Sequence, residues 1–219
     1  MIRSHQVLGI EYGVAEASDL DEMVRLLAAV FSHHDPPAVA TGLTPPEFED
    51  FVRLFCPRAA ADGLTVIGRS ADTGEMAGAL LTEDSAAPPP ERLDRLSRKF
   101  DPIFDILGQL DADYRKEKVV LPGESLHLFL VGVAPAFGGR RVAQQLVASC
   151  LENGLRKGYR VAVTEATNSV SQHIFRKLGF VDRVHRSYRD HRYEGRAFFA
   201  SIEGHTGPIL MDRDLVQGG

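Results

Sequence analysis

The chain has 219 residues, of which 44% are hydrophobic and 25% are charged, and its formal net charge is −5 at pH 7. This balance is typical of a globular protein, and the length allows one large domain or two small ones. The acidic net charge argues against nucleic acid as the main partner, since a nucleic-acid-binding chain carries a basic surface. The N-terminal segment lacks the apolar core of a signal peptide, and no apolar run approaches the length of a membrane span. We therefore expect a soluble, cytoplasmic protein that does not bind membranes.

The cysteines and histidines do not predict a metal site or a disulfide framework. Cys56 and Cys150 are the only two cysteines, and each lies in an apolar helical pattern. The sequence has no CxxC motif and no Cys/His spacing typical of zinc. His33 and His34 are adjacent, so their side chains point apart, and no third ligand lies nearby. We expect two free thiols and no bound metal.

The first elements in the chain are predicted to be one strand and two helices. The segment IEYGVAEA (10–17) is typical of a strand, and apolar residues then recur at helical spacing over 20–31. Ser18 and Asp21 resemble a capping box at the start of this helix. The proline pair of HHDPP ends it, and the sequence TPPE (44–47) begins a second helix with a threonine cap and prolines in the first turn.

A hairpin and an insertion are predicted next. Residues 64–69 and 76–82 are typical of strands joined by a turn at 72–74. A proline-rich stretch then leads into the charged, amphipathic region 91–118, which we interpret as one or two helices. The strands on either side are too few to form separate sheets. We therefore interpret 85–118 as a helical insertion rather than a domain boundary.

The rest of the chain alternates between strands and helices. Strands are predicted over 126–133 and 161–166, each followed by a helix, and two closing strands are predicted near the end of the chain. The helices are predicted at about 141–157 and 169–178, and the closing strands near 196–201 and 208–214. The order of elements predicts a mixed α/β sandwich.

The segment VAPAFGGRRVAQQL (133–146) leaves a strand through a glycine pair and enters a helix. The first N–H groups of a helix have no intrahelical acceptor and lie at the positive end of its dipole, so such a turn is a phosphate-binding site. The preceding strand, 129–133, can pair its backbone with an extended ligand. A tight turn with solvated arginines is the alternative interpretation.

The segment 127–215 resembles the GNAT superfamily of acetyl-CoA-dependent N-acetyltransferases. In that family a strand ending in V-x-P precedes a Q/R-x-x-G-x-G/A loop at a helix start, and an Asn later precedes a helix ending in K-L-G-F. The matching residues are Val133, Pro135, Gly138–Ala143, Asn168 and Lys177–Phe180. Two positions depart from the pattern, because Gly138 stands in place of Arg or Gln and Arg141 in place of the central Gly.

The resemblance implies a single domain over 1–219, built on a central mixed, mostly antiparallel sheet flanked by helices. It also implies that acetyl-CoA is the cosubstrate. Its phosphates would lie at the 138–143 loop, where Arg140 and Arg141 can compensate by charge for the missing glycine. The cofactor-binding residues implied are Leu130, Val131, Val133, Gly138, Gly139, Arg140, Arg141, Val142, Ala143 and Asn168.

A finer likeness is to the arylalkylamine (dopamine-type) branch of that superfamily. It is carried by the segments HHDPP, TEATNSVSQHIFRKLGF, YRDHRYEG and GHTGPILMDRDL. It implies that Asp35 acts as the general base through ordered water. It also implies that the hydroxyls of Thr167 and Ser171, expected on one helical face, protonate the leaving thiolate, since Phe175 stands where many members carry a tyrosine.

Other roles remain open for these residues. Glu165 and His127 are alternative bases, although a histidine in an apolar strand is more often a core residue. An Asp before Pro is typical of a turn, and Thr167 or Asn168 is typical of a helix cap.

We predict an enzyme that acetylates a small primary amine by direct attack on the thioester, as a monomer or homodimer. The alternatives are a protein or peptide amine as acceptor and a non-catalytic CoA-binding sensor module.

Overall fold

The computed structural model describes residues 5–215, which form one eight-stranded sheet with α-helices on both faces. The strands are β1 (His5–Val7), β2 (Ile10–Val14), β3 (Val66–Ser70), β4 (Met76–Asp84), β5 (Ser125–Val133), β6 (Val161–Ala166), β7 (Val181–His185) and β8 (Ile209–Asp214). The helices are α1 (Leu20–His34), α2 (Pro36–Thr41), α3 (Pro45–Arg53), α4 (Cys56–Asp62), α5 (Asp101–Glu117), α6 (Val142–Arg156) and α7 (Ser169–Lys177).

The strand order is β1-β2-β3-β4-β5-β6-β8-β7, and every neighbouring pair is antiparallel except β5 with β6. The predicted mixed, mostly antiparallel sheet flanked by helices is therefore confirmed. The last strand, β8, lies between β6 and β7 rather than at an edge. Within residues 5–215, no helix combines the length and hydrophobicity needed to cross a bilayer.

Each face of the sheet has its own hydrophobic core. One core lies beneath α1, α3, α4 and α5, and the other lies beneath α6 and α7. Helix α1 packs closely on β5 because Gly132 has no side chain; a Cβ there would lie 2.9 Å from Cδ2 of the buried Leu27. This close packing fixes the C-terminal end of α1 over the middle of the sheet.

The predicted insertion joins β4 to β5, two strands that pair with each other. It contains short 3-10 turns at Leu93–Arg95 and Arg98–Phe100, followed by the single helix α5. Leu110 and Tyr114 of α5 pack against Val163 of β6 and Leu210 of β8. The insertion is thus one helix that covers the second half of the sheet.

Asp35 separates two helices instead of simply ending one. Its backbone N–H donates to the carbonyl of Phe31 as the C-cap of α1, and its carboxylate accepts from the N–H of Ala38 as the N-cap of α2. Proline occupies the first turn of α2, where the missing N–H has no cost. The proline pair therefore ends α1, as predicted, but it also begins a helix that the sequence did not predict.

The closing strand predicted at 196–201 is wrong. This segment forms turns, and its Phe199 is fully buried against Tyr188 and His191. The strand that completes the sheet is β7, which pairs with β8. An apolar run signals burial here, not strand pairing.

The predicted capping box at Ser18 and Asp21 is also wrong. The reciprocal pair is formed two residues earlier by Glu16 and Asp19, where the N–H of Glu16 donates to the Asp19 carboxylate over 2.8 Å. Strand β1 and helix α4 were not predicted. Strand β1 is three residues long and helix α4 has seven, so each is too short for its periodicity to be recognised in the sequence.

Candidate active site

Strands β5 and β6 diverge and leave an open edge in the middle of the sheet. They pair only where Ser125–His127 face Val161–Val163, and the Thr164 hydroxyl then donates to the carbonyl of Leu128 over 2.9 Å. At this point β5 carries an extra residue, Phe129, opposite the β4 step between Leu81 and Thr82. Such a bulge bends the strand that carries it, so β5 turns away from β6 beyond Leu128.

The open edge of β5 presents unpaired backbone groups. The N–H of Ala134, just after β5, donates to the carbonyl of Ala77 in β4 over 2.9 Å. The backbone N–H and C=O groups of successive residues in a strand point to opposite edges. Those of Val133 and Val131 therefore point away from β4, to the edge of β5 where β6 no longer pairs. The backbone of Leu130 faces β4, and its side chain is buried in the core. An extended, amide-bearing ligand can therefore pair with alternate residues of β5.

The loop after β5 has the backbone form of an anion-binding turn. Gly139 has φ = +74°, and Arg141, the N-cap of α6, has φ = +60°. The N–H groups of Val142 and Ala143, in the first turn, have no intrahelical acceptor. Arg141 thus adopts the left-handed conformation that glycine adopts without steric cost. The sequence departure changes the side chain at this position, and the backbone still adopts a left-handed conformation that suits glycine.

The two arginines of this loop are both exposed. The guanidinium carbon of Arg140 lies 5.5 Å from the ring centre of Phe137, so this side chain is held beside the loop by a cation–π contact. The loop therefore combines free N–H groups with two cations that can reach a phosphate.

Asp35 is buried and hydrogen-bonded to Thr167. Its side chain sits at the α1–α2 junction, and the Thr167 hydroxyl donates to Oδ1 over 2.5 Å. The N–H of Ala38 donates to Oδ2 over 3.3 Å. Burial raises the pKa of Asp35 to about 6, although the bonds from Thr167 and Ala38 oppose this rise. A carboxylate with this pKa is ionised at neutral pH and can accept a proton.

Asn168 and Ser171 form the capping box of α7. The Ser171 N–H donates to the Asn168 side chain over 2.9 Å, and the Ser171 hydroxyl donates to the Asn168 carbonyl over 2.9 Å. Thr167 precedes the helix by two residues, so the prediction that Thr167 and Ser171 share a helical face is wrong. Asn168 has the capping role that the sequence left open.

The turn that carries Thr167 is fastened by the loop between β7 and β8. The Tyr188 hydroxyl donates to the carbonyl of Thr167 over 2.7 Å, and the Gln172 amide donates to the carbonyls of Ala166 and Gly207 over 3.1 and 2.9 Å. The N–H of Ser169 donates to Nδ1 of His205 over 3.2 Å. These bonds hold the Thr167 turn in place against Asp35.

A cavity of about 450 Å³ lies beside Asp35, between β5–β6 and the helices of the first core. Asp35, Thr167, Asn168 and Ser171 line one wall. The cavity also has an aromatic wall, formed by Phe31, Phe48, Phe51, Phe55, Phe100, Phe104, Phe129 and Phe175. Leu130 and Val131 also line the cavity, whereas the 138–143 loop lies outside it. The open edge of β5 therefore lies between the loop and the cavity.

His127 and Glu165, the two alternative bases, are bound to each other in the same cavity. Nε2 of His127 lies 2.7 Å from Glu165, and Nδ1 lies 3.5 Å from Glu83. Burial opposes protonation of His127, but the two carboxylates outweigh it and raise its pKa to about 10. Burial likewise opposes ionisation of Glu165, and the His127 charge holds the pKa of that carboxyl below its usual range. Neither group is free to accept a proton at neutral pH, so Asp35 is the better candidate for the base.

The structure brings Asp35, Thr167 and Ser171 together, and it separates them from the glycine loop by the open edge of β5. Sequence reasoning placed Tyr188 near the site but missed its hydrogen bond to Thr167, and it missed Gln172 and Glu83 altogether. It also missed the aromatic wall. The spacing of Phe48, Phe51 and Phe55 at helical intervals was a signal for that wall, but it is equally typical of a core.

Comparison with known proteins identifies the class to which this fold and site belong. The sequence matches the profile of the acetyltransferase (GNAT) family over residues 44–180. The chain belongs to this family. It is therefore an N-acetyltransferase with acetyl-CoA as its cosubstrate.

Solved structures share this fold over nearly the whole chain. Arylalkylamine N-acetyltransferase 2 from Aedes aegypti has a TM-score of 0.80 at 22% identity, covering 94% of this chain and 99% of that chain. The C-terminal condensation domain of Ebony, solved in complex with beta-alanyl-dopamine, has a TM-score of 0.87 at 14% identity and covers 95% and 100%. A Drosophila melanogaster polyamine N-acetyltransferase that forms N-acetylagmatine has a TM-score of 0.73 at 18% identity and covers 94% and 99%. The predicted likeness to the arylalkylamine branch is confirmed in the fold.

Proposed function

We propose that this protein transfers the acetyl group of acetyl-CoA to a small primary amine in the cytoplasm, by direct attack of the amine on the thioester. One observation carries the proposal. The buried carboxylate of Asp35 and the hydroxyl of Thr167 are joined by a hydrogen bond in the wall of a largely apolar cavity next to the open edge of β5.

The residues of the open edge and the glycine loop fit acetyl-CoA. The backbone groups of Val131 and Val133 suit the amides of the pantetheine arm, and the N–H groups of 139–143 with Arg140 and Arg141 suit the diphosphate. When bound, acetyl-CoA supplies an activated acyl carbon. The chain's own residues then have to bind and deprotonate the amine.

Asp35 is proposed to take the proton of the acceptor, directly or through water. An alkylamine with a pKa of about 10.4 is neutral in roughly one molecule in 10³ at pH 7, which corresponds to about 4–5 kcal/mol. The apolar cavity favours the neutral amine over the ammonium, and the Asp35 carboxylate accepts the proton that is released. The raised pKa of Asp35 makes this transfer less unfavourable than it would be for an exposed aspartate.

Thr167 is proposed to couple Asp35 to the leaving group. Its hydroxyl proton is committed to the ionised Asp35 carboxylate. Once Asp35 is protonated, this hydrogen bond is no longer needed to stabilise a charge, and the hydroxyl can donate to the developing thiolate. Ser171 has a weaker case for this role, because its hydroxyl already donates within the first turn of α7.

The cavity supports a small acceptor over a protein or peptide amine, since Asp35 is buried and its surroundings are largely aromatic. The sensor alternative receives less support from the site. A carboxylate desolvated enough to have a pKa of about 6 destabilises the fold at neutral pH, and such a cost is typical of catalytic sites.

The test is release of free CoA thiol when acetyl-CoA is mixed with a panel of small amines. We expect turnover with at least one amine, and a loss of about 10²- to 10⁴-fold in kcat for Asp35→Asn. Asp72→Asn, in the exposed turn between β3 and β4, is the matched control and keeps full activity. Acetyl-CoA binding without turnover on any amine would support the sensor alternative instead.

A further inference from the structure

Gly108 is a helical glycine for which the packing of the protein gives no reason. It lies near the middle of α5, and glycine is among the poorest helix formers. The other glycine in a described helix is Gly154 of α6, where a Cβ would lie 2.6 Å from Cδ2 of Leu126. Gly108 does not have a positive φ, and within residues 5–215 a Cβ on it would meet open space. What the missing side chain preserves is therefore the space itself.

The space beside Gly108 is part of an opening of the cavity that lies beside Asp35. The exposed residues that line this cavity are His34, Pro89, Gly108 and Arg115. Pro89 belongs to the segment 85–93, here called the strap, which follows β4. Arg115 donates to the carbonyl of Ser85 over 2.9 Å, so α5 and the strap meet at one end of the opening. Gly108 lies two turns before that contact, where the two segments leave a gap.

The cavity is long, and Gly108 lies away from its Asp35 end. The five β5 residues 127–131 all line it and span about 13 Å at roughly 3.3 Å per residue. Because His127 pairs with Val163, the turn that carries Thr167 and contacts Asp35 lies at the 131 end. Gly108 lies about 10 Å along α5 from Arg115, given 1.5 Å per residue. A ligand that starts at Asp35 therefore has to pass the aromatic wall before it reaches Gly108.

The charges of the cavity favour a ligand with one amine and an apolar body. Within residues 5–215, Asp35 is the only lining carboxylate without a cationic partner. The others are paired at 2.7–2.8 Å: Glu83 with Arg58, Asp111 with Arg115, and Glu165 with His127. An amine therefore has one favourable position, at Asp35, and the remainder of the ligand lies against phenylalanine rings.

We infer that Gly108 selects the acceptor by length: it keeps open the passage through which the apolar body of a long primary monoamine leaves the cavity. The preferred acceptors have a chain that reaches from Asp35 past Gly108, and a bulky side chain at position 108 excludes them while short amines still bind. The glycine loop lies outside the cavity, beyond the 131 end of β5, so acetyl-CoA enters from the other side. The chain that passes Gly108 therefore belongs to the amine. This inference rests on the proposed acetyltransferase function and names the class of acceptor.

The first test measures kcat/KM for a series of linear alkylamines from ethylamine to decylamine. In the wild-type protein we expect a rise of up to about fourfold per methylene, which ends once the chain has passed Gly108 and further methylenes stay in water. Gly108→Leu is expected to lower kcat/KM for octylamine about tenfold or more by overfilling the passage, and to leave ethylamine nearly unchanged. Ala112→Leu is the matched control, because Ala112 is exposed on the next turn of α5 and does not line the cavity. Equal losses for both amines, or none, in Gly108→Leu overturn the inference.

Gly108→Ala separates selection of the acceptor from a structural role. Alanine is the better helix former, so the thermal unfolding temperature should rise by about 1–4 °C. The kcat/KM for octylamine should nevertheless fall relative to that for ethylamine, because the added methyl group narrows the passage. A more stable variant with the wild-type ratio of the two amines would show that Gly108 has no part in selection.

Binding measurements separate this inference from the proposed function. Calorimetric titration of octylamine into the CoA-bound protein requires no turnover, and we expect about tenfold weaker binding in Gly108→Leu. If the wild-type protein acetylates ethylamine and octylamine equally well, the proposed function stands and the inference is wrong. If no amine is acetylated but octylamine binds in a manner that depends on Gly108, the passage is confirmed and the proposed function fails. If Gly108→Leu instead discriminates hexanoyl-CoA from acetyl-CoA with ethylamine as acceptor, the chain belongs to the acyl donor and the inference is also wrong.

Discussion

The Thr167 hydroxyl and the Asp35 carboxylate, 132 residues apart in the chain, are joined by a hydrogen bond of 2.5 Å in the wall of the cavity between the two strands β5 and β6 and the helices of the first core. Asp35 is placed by the junction of two helices, and Thr167 by the end of β6 and the loop that fastens it. Each partner therefore depends on a different part of the fold. The pair provides a way to test the site by changes in stability and pH dependence as well as by loss of activity.

Asp35→Asn is expected to stabilise the protein at pH 8 while lowering kcat. The raised pKa of Asp35 means that the folded state binds a proton more tightly than the unfolded state. This group therefore makes the fold less stable as pH rises from about 4 to about 6, and the loss persists above pH 6. A shift of about two units corresponds to at most about 3 kcal/mol. Denaturant unfolding at pH 4 and pH 8 measures the gain, which should appear only at pH 8.

The pH dependence of kcat should show a rising limb near pH 6, where Asp35 ionises in the protein. The Thr167 hydrogen bond lowers the pKa of Asp35, so Thr167→Val is expected to move this limb to higher pH in addition to lowering kcat. Thr73→Val, in the exposed turn between β3 and β4, is the control. A Thr167→Val profile with the wild-type midpoint would show that the bond to Asp35 has no influence on the base.

Tyr188→Phe is expected to lower kcat by loosening the Thr167 turn, without removing a contact to the acceptor. The change leaves the Thr167 carbonyl without its donor, and such a loss costs about 1–3 kcal/mol when the group is buried. We expect a lower kcat and a shifted pH limb, with the KM for acetyl-CoA changed less than kcat. Tyr193→Phe is the control, because the Tyr193 hydroxyl makes no hydrogen bond within residues 5–215. An equal change in kcat and stability for both variants would contradict this positioning role.

Arg141→Gly separates backbone strain from phosphate binding. Glycine removes the steric cost of φ = +60°, so we expect a gain of up to about 1 kcal/mol in the free energy of unfolding. It also removes a cation from the loop, so the Kd for CoA should rise several-fold and depend less on salt. Calorimetry at two salt concentrations measures this. Arg140→Ala should weaken binding by charge loss without the gain in stability.

Local signals were sufficient to predict the second half of the fold through α7. The predicted strand 126–133 differs from β5 by one residue, and α6, β6 and α7 begin and end within about a residue of prediction. Glycine and proline mark the ends of these elements, and their apolar periods are long. The segment 196–201 failed because its phenylalanines pack against a loop, and no local pattern distinguishes that packing from strand pairing.

The site could be predicted only in part. Asp35 and Thr167 were assigned by family resemblance, since nothing in the local sequence around either residue indicates the other. The pairing of His127 with Glu165 depends on two strands that are parallel for only three residues before they diverge. The donors Tyr188 and Gln172 act through contacts that tertiary packing alone creates.

The position of β8 between β6 and β7 has a consequence for biogenesis. A nascent chain that lacks residues 209–214 has no strand with which β7 can pair and leaves the outer edge of β6 bare. The loop that carries Tyr188 and Gly207 then has no fixed end on the sheet. Acetyltransferase activity should therefore appear only late in synthesis, when the last strand has joined the sheet. Fragments that end before residue 209 should have no activity and should tend to associate through their exposed strand edge.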